Sequence, residues 1–214
     1  KLSFFHPHGP ITPPAYYLDL YMNMDLPDPI DADWSRQYTA PRYGDATNHV
    51  FAAKETAPLK TRLPEAVRKQ FQAAYYGAIH HIDDQVQRLV NALEFQPELT
   101  QRETVFLFTS DHGDMCGDHQ LYAKCQPYEG AARVPLLARL PQSWQAPQRQ
   151  VVDAPVDLMD IMPTILDIAG APIPETVDGA SLLPFLRGET PAWREFVHGE
   201  ISRVSHLDSG MQYL

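Results

Sequence analysis

The stretch whose residue types could most readily do chemistry is Ser110-Asp111-His112-Gly113-Asp114. It directly follows Thr104-Val105-Phe106-Leu107-Phe108-Thr109, an apolar and β-branched run that is typical of a strand buried on both faces, as in a parallel sheet. In open α/β sheets, ligands bind just outside the carboxyl ends of the strands. Asp111 and His112 are therefore interpreted as half of a site for a divalent cation, with Gly113 allowing a close backbone approach. From these residues alone, the alternative is a surface turn that uses Asp and Gly for its backbone conformation.

A second candidate is Lys124, which follows Asp111 by thirteen residues. A lysine ammonium near a metal site would bind an anionic ester and neutralise charge that develops on it. A single lysine is usually a solvated side chain, so its interpretation depends on the spacing from the Asp-His pair. That spacing favours a lysine that returns to the same edge of the sheet.

The elements that would position these residues alternate between strand and helix patterns. Residues 64–93 carry apolar side chains at three- and four-residue steps, which predicts an amphipathic helix with Pro64 near its first turn. Residues 157–169 predict a second helix, with Pro163 interrupting or kinking it and Gly170 just beyond its end. Weaker patterns predict strands at 1–5, 134–138 and 195–201 and a short helix at 181–186, whereas the rest of residues 1–63 shows little periodicity. This order predicts a layered α/β architecture.

Composition limits the class of protein. The chain has 214 residues, of which 44% are hydrophobic and 21% charged, as is ordinary for a soluble globular protein. Its net charge of −10 argues against a nucleic-acid partner, because phosphate backbones are bound by clustered Lys and Arg. No apolar run approaches the roughly 20 residues that span a bilayer. Two cysteines, Cys116 and Cys125, are too few for a disulfide scaffold and do not fit a common zinc spacing.

Both ends of the chain lie in apolar sequence. The chain begins with Lys1-Leu2-Ser3-Phe4-Phe5 rather than with Met and ends at Met211-Gln212-Tyr213-Leu214. Because native domains rarely start and stop inside an apolar pattern, we expect a fragment of a longer polypeptide. These features do not indicate a cellular compartment.

The motifs and their order resemble the sulfatase family of the alkaline-phosphatase-like superfamily. Upstream, Phe4-Phe5-His6-Pro7-His8-Gly9-Pro10 is similar to the Pro-His-x-Pro element of that family. The resemblance continues, in the order of the family, through Thr109-Ser110-Asp111-His112-Gly113-Asp114, Gly117-Asp118-His119, Lys124, Tyr128-Glu129-Gly130, Arg133-Val134-Pro135, Val156-Asp157, Pro163-Thr164-Ile165-Leu166-Asp167 and Asp178-Gly179-Ala180-Ser181-Leu182. Each element alone is weakly specific, but the ordered set covers most of the chain.

The resemblance implies a fold and a domain boundary. We expect part of an alkaline-phosphatase-like layered α/β/α fold with a mostly parallel sheet. Residues 1–190 would form the second part of the catalytic α/β domain, and residues 191–214 would begin a small carboxy-terminal subdomain.

The resemblance also implies roles for individual residues. Asp111 and His112 would be two ligands of a divalent metal, and Lys124 would contact the sulfate and stabilise charge during transfer. His8 would lie near the bridging oxygen and act as general acid for the departing alcohol, with His6 as a competitor. The remaining polar candidates are interpreted as structural, solvated or supporting: His80, His81, Asp83 and Asp84 on the long helix, Tyr128, Glu129 and Arg133 around the lysine, and His119 and Glu200 near the pocket or at the surface.

The cofactors implied by the resemblance are a divalent metal, usually Ca²⁺, and a cysteine-derived formylglycine that attacks the sulfur of the ester. His112 stands where many relatives have Asn, and imidazole is an uncommon ligand of Ca²⁺, which leaves Mg²⁺ or Mn²⁺ as alternatives. Cys125-Gln126-Pro127-Tyr128-Glu129 imitates the formylglycine motif but has Glu129 where the motif requires Arg. The nucleophile is therefore expected in the missing amino-terminal part. The chain alone is expected to lack turnover and to bind metal weakly.

These expectations define a function and its competitors. The parent protein would be a sulfuric ester hydrolase that cleaves a sulfate monoester of a small molecule or glycan. One alternative is a phosphodiester or phosphonate monoester hydrolase of the same superfamily, because the anions are similar in shape and Asp-His ligation suits such enzymes. The other is a non-catalytic binding module of this fold that has lost its nucleophile. The sequence indicates neither the alcohol nor the oligomeric state.

Overall fold

The computed structural model describes residues 1–37, 59–60, 62–96, 103–201 and 211–213. Its α-helices are α1 (Ala15–Met22), α2 (Glu65–Phe95), α3 (Glu129–Ala132), α4 (Ile161–Ile168) and α5 (Leu183–Leu186). Its strands are β1 (Leu59–Lys60), β2 (Phe106–Thr109), β3 (Leu121–Tyr122), β4 (Leu136–Arg139), β5 (Gly199–Ile201) and β6 (Met211–Tyr213). The elements belong to two compact units, the first made mainly of Lys1–Arg102 and His112–Arg133, the second mainly of Glu103–Asp111 and Val134–Arg203.

Helix α2 carries most of the core of the first unit. Pro64 precedes it, and Glu65 lies in its first turn, where a carboxylate interacts favourably with the helix dipole. The apolar face of the helix is buried in its first half, between Phe71 and Ala78. The core combines that face with neighbouring segments through Ile11, Leu63, Phe71, Ala74, Ala78 and Tyr122. The predicted helix at 64–93 is confirmed to within two residues at each end.

Helix α1 crosses α2 at a glycine. A Cβ atom built on Gly77 would lie 3.1 Å from the backbone of Tyr17, so the two helix backbones approach closely here. The Tyr17 hydroxyl donates a hydrogen bond of 2.6 Å to Asp84, which raises the pKa of the tyrosine. The ring of Tyr21 stacks on Tyr76 with centroids 5.7 Å apart. His80, His81 and Asp84 of α2 thus contact tyrosines of α1, which agrees with the local pairing that the sequence indicated as one option for them.

The sequence did not indicate α1, and it wrongly indicated a strand at 1–5. Ala15–Met22 is apolar or aromatic at seven of its eight positions, so no helical period distinguishes one face. Residues 1–5 are irregular and exposed, although their apolar composition is that of a strand. Composition alone does not form a strand without a partner for its backbone groups.

In the second unit, β2 and β4 form an antiparallel pair in which Phe108 lies opposite Leu137. The sequence favoured a strand buried on both faces in a parallel sheet, but Phe108 is 39% exposed and Leu137 62% exposed. The strand itself is placed correctly. A continuous apolar run does not specify the direction of the neighbouring strand. This explains why β2 pairs with an antiparallel strand where a parallel one was expected. Every strand pair in the described ranges is antiparallel.

A buried carboxylate organises the rest of the second unit. Asp160 is fully buried and accepts hydrogen bonds from the backbone N–H groups of Asp157, at 3.0 Å, and Ala180, at 2.9 Å. It also pairs with the guanidinium of Arg194. Because a buried charge is costly unless it is paired and hydrogen-bonded, these contacts connect the start of α4 to the segments on either side of α5.

The other predicted elements occur with shorter bounds. Helix α4 has Pro163 in its first turn, where proline is tolerated, and Gly170 follows its end at φ +66°. The predicted short helix is α5, and the predicted strand at 195–201 is β5. The domain boundary between residues 190 and 191 stays a prediction. Within the described ranges, no helix combines the length and the apolar character that a bilayer crossing requires.

Candidate active site

His8 and Lys124, two of the four predicted site residues, are in direct contact. The Nζ of Lys124 lies 3.2 Å from Nε2 of His8, across 116 positions of sequence. The other ring nitrogen, Nδ1, lies 2.8 Å from the carbonyl oxygen of Gly9, which can only accept, so Nδ1 carries a proton. With the proton on Nδ1, Nε2 can accept a hydrogen bond from the ammonium. Since His8 is exposed, an anion can reach both groups from solvent.

Lys124 is positioned by the lysine loop, residues 114–125. The Asp114 carboxylate accepts hydrogen bonds from the backbone N–H groups of Cys116, at 2.8 Å, and Ala123, at 3.0 Å. Burial raises the pKa of Asp114, and the two backbone donors oppose that rise. Backbone bonds from Met115 to Ala123 and from Gly117 to Leu121 close the loop. The sequence predicted no separate role for Asp114, although an Asp side chain in a turn often accepts a hydrogen bond from the backbone N–H two residues later.

The lysine loop has an unusual backbone. Five of its non-glycine residues have φ between 49° and 68°, in the left-handed region that side chains rarely adopt: Cys116, His119, Gln120, Ala123 and Cys125. Each such residue costs free energy and persists only when its surroundings determine it. Such residues cluster at functional sites, which agrees with a loop that presents Lys124.

Gly113 lets the lysine loop pack on α3. A Cβ atom at Gly113 would lie 2.1 Å from the carbonyl oxygen of Gly130, a distance that no side chain can occupy. The backbone N–H of Gly113 donates to Ala131 at 2.8 Å. The close backbone approach expected at Gly113 is therefore present, and the backbone it meets is that of α3.

The two predicted metal ligands are adjacent in sequence but belong to different units. His112 opens the second segment of the first unit, and its Nδ1 lies 2.8 Å from the carbonyl oxygen of Gly113. This contact places the proton on Nδ1 and the lone pair of a neutral ring on Nε2, the arrangement of a metal-ligating histidine. Asp111 is exposed and ends the first segment of the second unit. That Asp111 and His112 converge with His8 and Lys124 stays a prediction.

The described residues do not form a complete metal site. Among them, no group of three or more His, Cys, Asp or Glu side chains could hold a metal ion. Because two ligands rarely hold a hard cation against water, Asp111 and His112 would need further ligands.

Aromatic side chains surround the lysine loop. The Tyr128 ring stacks on Trp34, with centroids 6.2 Å apart, and contacts His119 at 4.9 Å. Glu129 pairs with Arg133 at 3.0 Å. Tyr128 thus has the scaffolding contacts expected of it, whereas Glu129 and Arg133 form an exposed ion pair with each other. Trp34 was missed, because a single tryptophan in a segment without periodicity carries no signal in sequence.

The other candidates from sequence have separate surroundings. His6 contacts the ring of Phe5, with centroids 6.4 Å apart, and Glu200 lies on β5 in the second unit. Cys116 and Cys125 form no disulfide. Burial, with the Asp114 carboxylate nearby, raises the pKa of the Cys116 thiol well above its usual range, which opposes a nucleophilic role.

Comparison with known proteins identifies the family. A sequence profile of the sulfatase family matches residues 1–171. The arylsulfatase of Clostridium perfringens is 40% identical over 203 residues, which are 94% of this chain and 40% of that protein. The phosphonate monoester hydrolase of Silicibacter pomeroyi superposes with a TM-score of 0.76 at 31% identity, over 94% of this chain and 39% of its own.

A second solved structure contains a bound ligand. An enzyme in complex with its substrate D-glucosamine-2-N,6-O-disulfate has a TM-score of 0.56 and 29% identity, over 70% of this chain and 31% of its own. This chain therefore spans about two fifths or less of the length of each of these relatives. The fold is the α/β fold of the alkaline-phosphatase-like superfamily, and the chain belongs to the sulfatase family.

Proposed function

We propose that this chain is part of a metal-dependent sulfuric ester hydrolase that cleaves a sulfate monoester. The observation that supports this most directly is the contact between Lys124 and His8, because it sets an ammonium and an imidazole 3.2 Å apart at an exposed position. An ester anion that reached both would meet a cation and a potential proton donor together. Family membership supports the same assignment.

In this proposal Asp111 and His112 supply two ligands of the metal. Nε2 of His112 carries the lone pair, because Nδ1 donates to the carbonyl of Gly113. The remaining ligands would come from residues outside this chain. A bound divalent cation, Ca²⁺ or alternatively Mg²⁺ or Mn²⁺, would supply Lewis-acid polarisation of the ester oxygens.

The nucleophile is proposed to be a formylglycine outside this chain. Cys125 has Glu129 four residues later, where the formylglycine motif requires Arg, and Cys116 has a raised pKa. We therefore expect the 214-residue chain alone to show no turnover of 4-nitrophenyl sulfate with any of the three metals. Appreciable metal-dependent turnover by the chain alone would contradict this.

Lys124 and His8 have separate roles in this reaction. The Lys124 ammonium binds the transferring group and neutralises charge that develops on its oxygens. In the resting arrangement Nε2 of His8 accepts from Lys124. Once the imidazole is protonated, Nε2 donates instead, and its proton can pass to the bridging oxygen as the alcohol leaves.

Esters with different leaving groups separate these two roles. The experiment uses the complete polypeptide that contains this chain. Replacing Lys124 with Met should lower kcat/KM by about 10²–10³-fold for every sulfate ester, as loss of one charge-stabilising donor does. His8→Gln should slow alkyl sulfates much more than 4-nitrophenyl sulfate, because nitrophenolate needs little protonation to leave. Equal losses of kcat/KM on both esters in His8→Gln would contradict the acid role.

A second candidate function is hydrolysis of phosphonate monoesters or phosphodiesters. It is favoured by the superposition on a phosphonate monoester hydrolase and by the imidazole of His112 among the proposed ligands. Paired assays of the complete polypeptide on 4-nitrophenyl sulfate and 4-nitrophenyl phenylphosphonate decide between them by the ratio of kcat/KM. Turnover of neither ester, with metal bound, would instead identify a non-catalytic binding module.

The natural substrate is proposed to be a sulfated small molecule or glycan. The relatives support this class, since one is an arylsulfatase and another is solved with a disulfated glucosamine. We further propose that residues 191–214 begin a carboxy-terminal subdomain beyond the catalytic α/β domain.

A further inference from the structure

Residues 28–34, which we call the covering segment, bind the lysine loop through backbone groups. The N–H of Ile30 donates to the Asp118 carboxylate at 2.8 Å, and the carbonyl of Ile30 accepts from the N–H of His119 at 2.6 Å. Ile30 therefore donates one backbone hydrogen bond to the lysine loop, at Asp118, and accepts another from it, at His119. Pro29 lies close by, 3.2 Å from a Cβ atom built on Gly117.

The two ends of the covering segment are fixed to different elements. Asp28 forms an ion pair of 3.0 Å with Arg68 on α2, and the carbonyl of the preceding residue, Pro27, accepts from Gln72 at 3.3 Å. At the other end, Trp34 stacks on Tyr128 with an interplanar angle of 18° and contacts His119 at 5.4 Å. The covering segment thus contacts α2 at one end. At the other end it contacts His119 and Tyr128, which precede and follow Lys124 in sequence.

The contacts of the covering segment fall on the part of the lysine loop whose conformation is least favourable. Left-handed residues, His119 and Gln120 among them, cost free energy and persist only where their surroundings determine them. Nδ1 of His119 is also buried without a hydrogen-bond partner in the described part of the chain, which adds a further cost. The contacts at Ile30 and Trp34 are made at His119 and next to it.

We propose that the covering segment, through Trp34 and Ile30, positions the Lys124 ammonium against His8. Trp34 is in this sense a positioning residue, acting on Lys124 through His119 and Tyr128. The inference rests on the proposed anion-binding role of Lys124 but makes a separate statement, that the geometry of the lysine is imposed from residues 28–34.

The test uses the 214-residue chain and measures the contact between Lys124 and His8 directly. The imidazole nitrogen resonances of His8, assigned with His8→Gln, report whether Nε2 accepts a hydrogen bond. Trp34→Ala should move the Nε2 resonance toward the position it has in Lys124→Met, because the lysine no longer holds its place. Trp34→Phe should leave it near the wild-type position, since a ring can still stack on Tyr128. Trp144→Ala, which removes an indole from the second unit, is the matched control and should change nothing.

Sulfate titration gives the second readout. Trp34→Ala should weaken sulfate binding by about three- to tenfold, the range expected when an aromatic contact that orders a ligand-binding group is lost. Trp34→Phe should recover most of the affinity. Asp118→Ala, which removes the acceptor for Ile30 without touching an aromatic ring, should act in the same direction.

The two proposals fail in different ways. If wild-type His8 shows no response to sulfate, the proposed anion site is wrong, and the ligand-free nitrogen resonances still decide the positioning. If Trp34→Ala keeps the wild-type Nε2 resonance, with the same melting temperature, the positioning role is wrong. A uniform loss of melting temperature and of all loop signals in both Trp34 variants would also overturn it, because Trp34 would then be a general packing residue.

Discussion

At the scale of residues, the site depends on glycine and aspartate as much as on Lys124 and His8. Gly113 admits the backbone of Gly130, and Asp114 ties down the turn that presents the lysine. The sequence indicated a close backbone approach at Gly113 as part of a cation site, whereas in the structure Gly113 approaches the backbone of α3. It did not indicate the His8–Lys124 contact, which joins residues 116 positions apart and was expected only through family resemblance.

Gly113→Ala tests the close approach. Its Cβ would meet the Gly130 carbonyl at 2.1 Å, and this backbone cannot move without disturbing α3. We expect the free energy of unfolding to fall by about 1–3 kcal/mol, as for other overpacked positions, measured by urea titration. Gly170→Ala is the comparison, because nothing lies within 4 Å of its added Cβ and it carries only the strain of a left-handed backbone at φ +66°. A Gly113→Ala chain as stable as wild type would contradict the packing described here.

Cys116 should react slowly with alkylating reagents. Burial raises the pKa of its thiol, so little of the reactive thiolate forms at pH 8. We expect iodoacetamide to modify Cys116 far more slowly in the native chain than in urea, as read by peptide mass mapping. Rapid native modification would show that the thiol is accessible and ionised.

At the scale of elements, periodicity decided what the sequence could predict. Helix α2 was predicted because its apolar side chains recur at three- and four-residue steps, and α4 because its apolar run ends just before Gly170. Pro163, which was expected to interrupt or kink that helix, lies in its first turn. Helix α1 was missed because AYYLDLYM has no polar face to contrast with an apolar one. The strand β4 was predicted, but its antiparallel pairing with β2 was not, because strand direction is set by tertiary packing and an apolar run does not specify it.

The crossing of α1 and α2 depends on Gly77. Gly77→Leu should lower the free energy of unfolding by about 1–3 kcal/mol, because the side chain would enter the backbone of α1. Gly77→Ala should be nearly neutral, since its contacts of 3.1 Å oppose a helix-propensity gain of about 1 kcal/mol. Urea titration of both variants measures this. Equal stability of Gly77→Leu and Gly77→Ala would contradict the close crossing.

The covering segment should loosen in acid. A hydrogen bond from Ser35 holds the pKa of Asp31 below its usual range. The pKa of Asp31 is lower in the folded than in the unfolded chain. Its carboxylate therefore contributes stability at pH values above the unfolded pKa of about 3.9. This contribution is lost as the pH falls through the folded pKa. Trp34 fluorescence should therefore change with acid in the wild type, and Asp31→Asn should remove that part of the change. Identical acid profiles would contradict the assignment.

At the scale of the whole molecule, the chain is a sulfatase-family segment of about two fifths the length of its arylsulfatase relative. It contains a candidate anion site, His8 and Lys124, within its first unit. Its net charge of −10 means that sulfate must be attracted locally rather than by the protein as a whole. Local attraction by one lysine is the central claim, and it is measurable in this chain.

The most direct test is a sulfate titration of the wild-type chain followed at the His8 imidazole resonances, with Lys124→Met and, as control, the exposed Lys69→Met on α2. We predict a saturable shift of the His8 resonances in the wild type and in Lys69→Met, and its loss in Lys124→Met. The same shift in Lys124→Met, or no shift in the wild type, would contradict the claim that His8 and Lys124 together bind the anion.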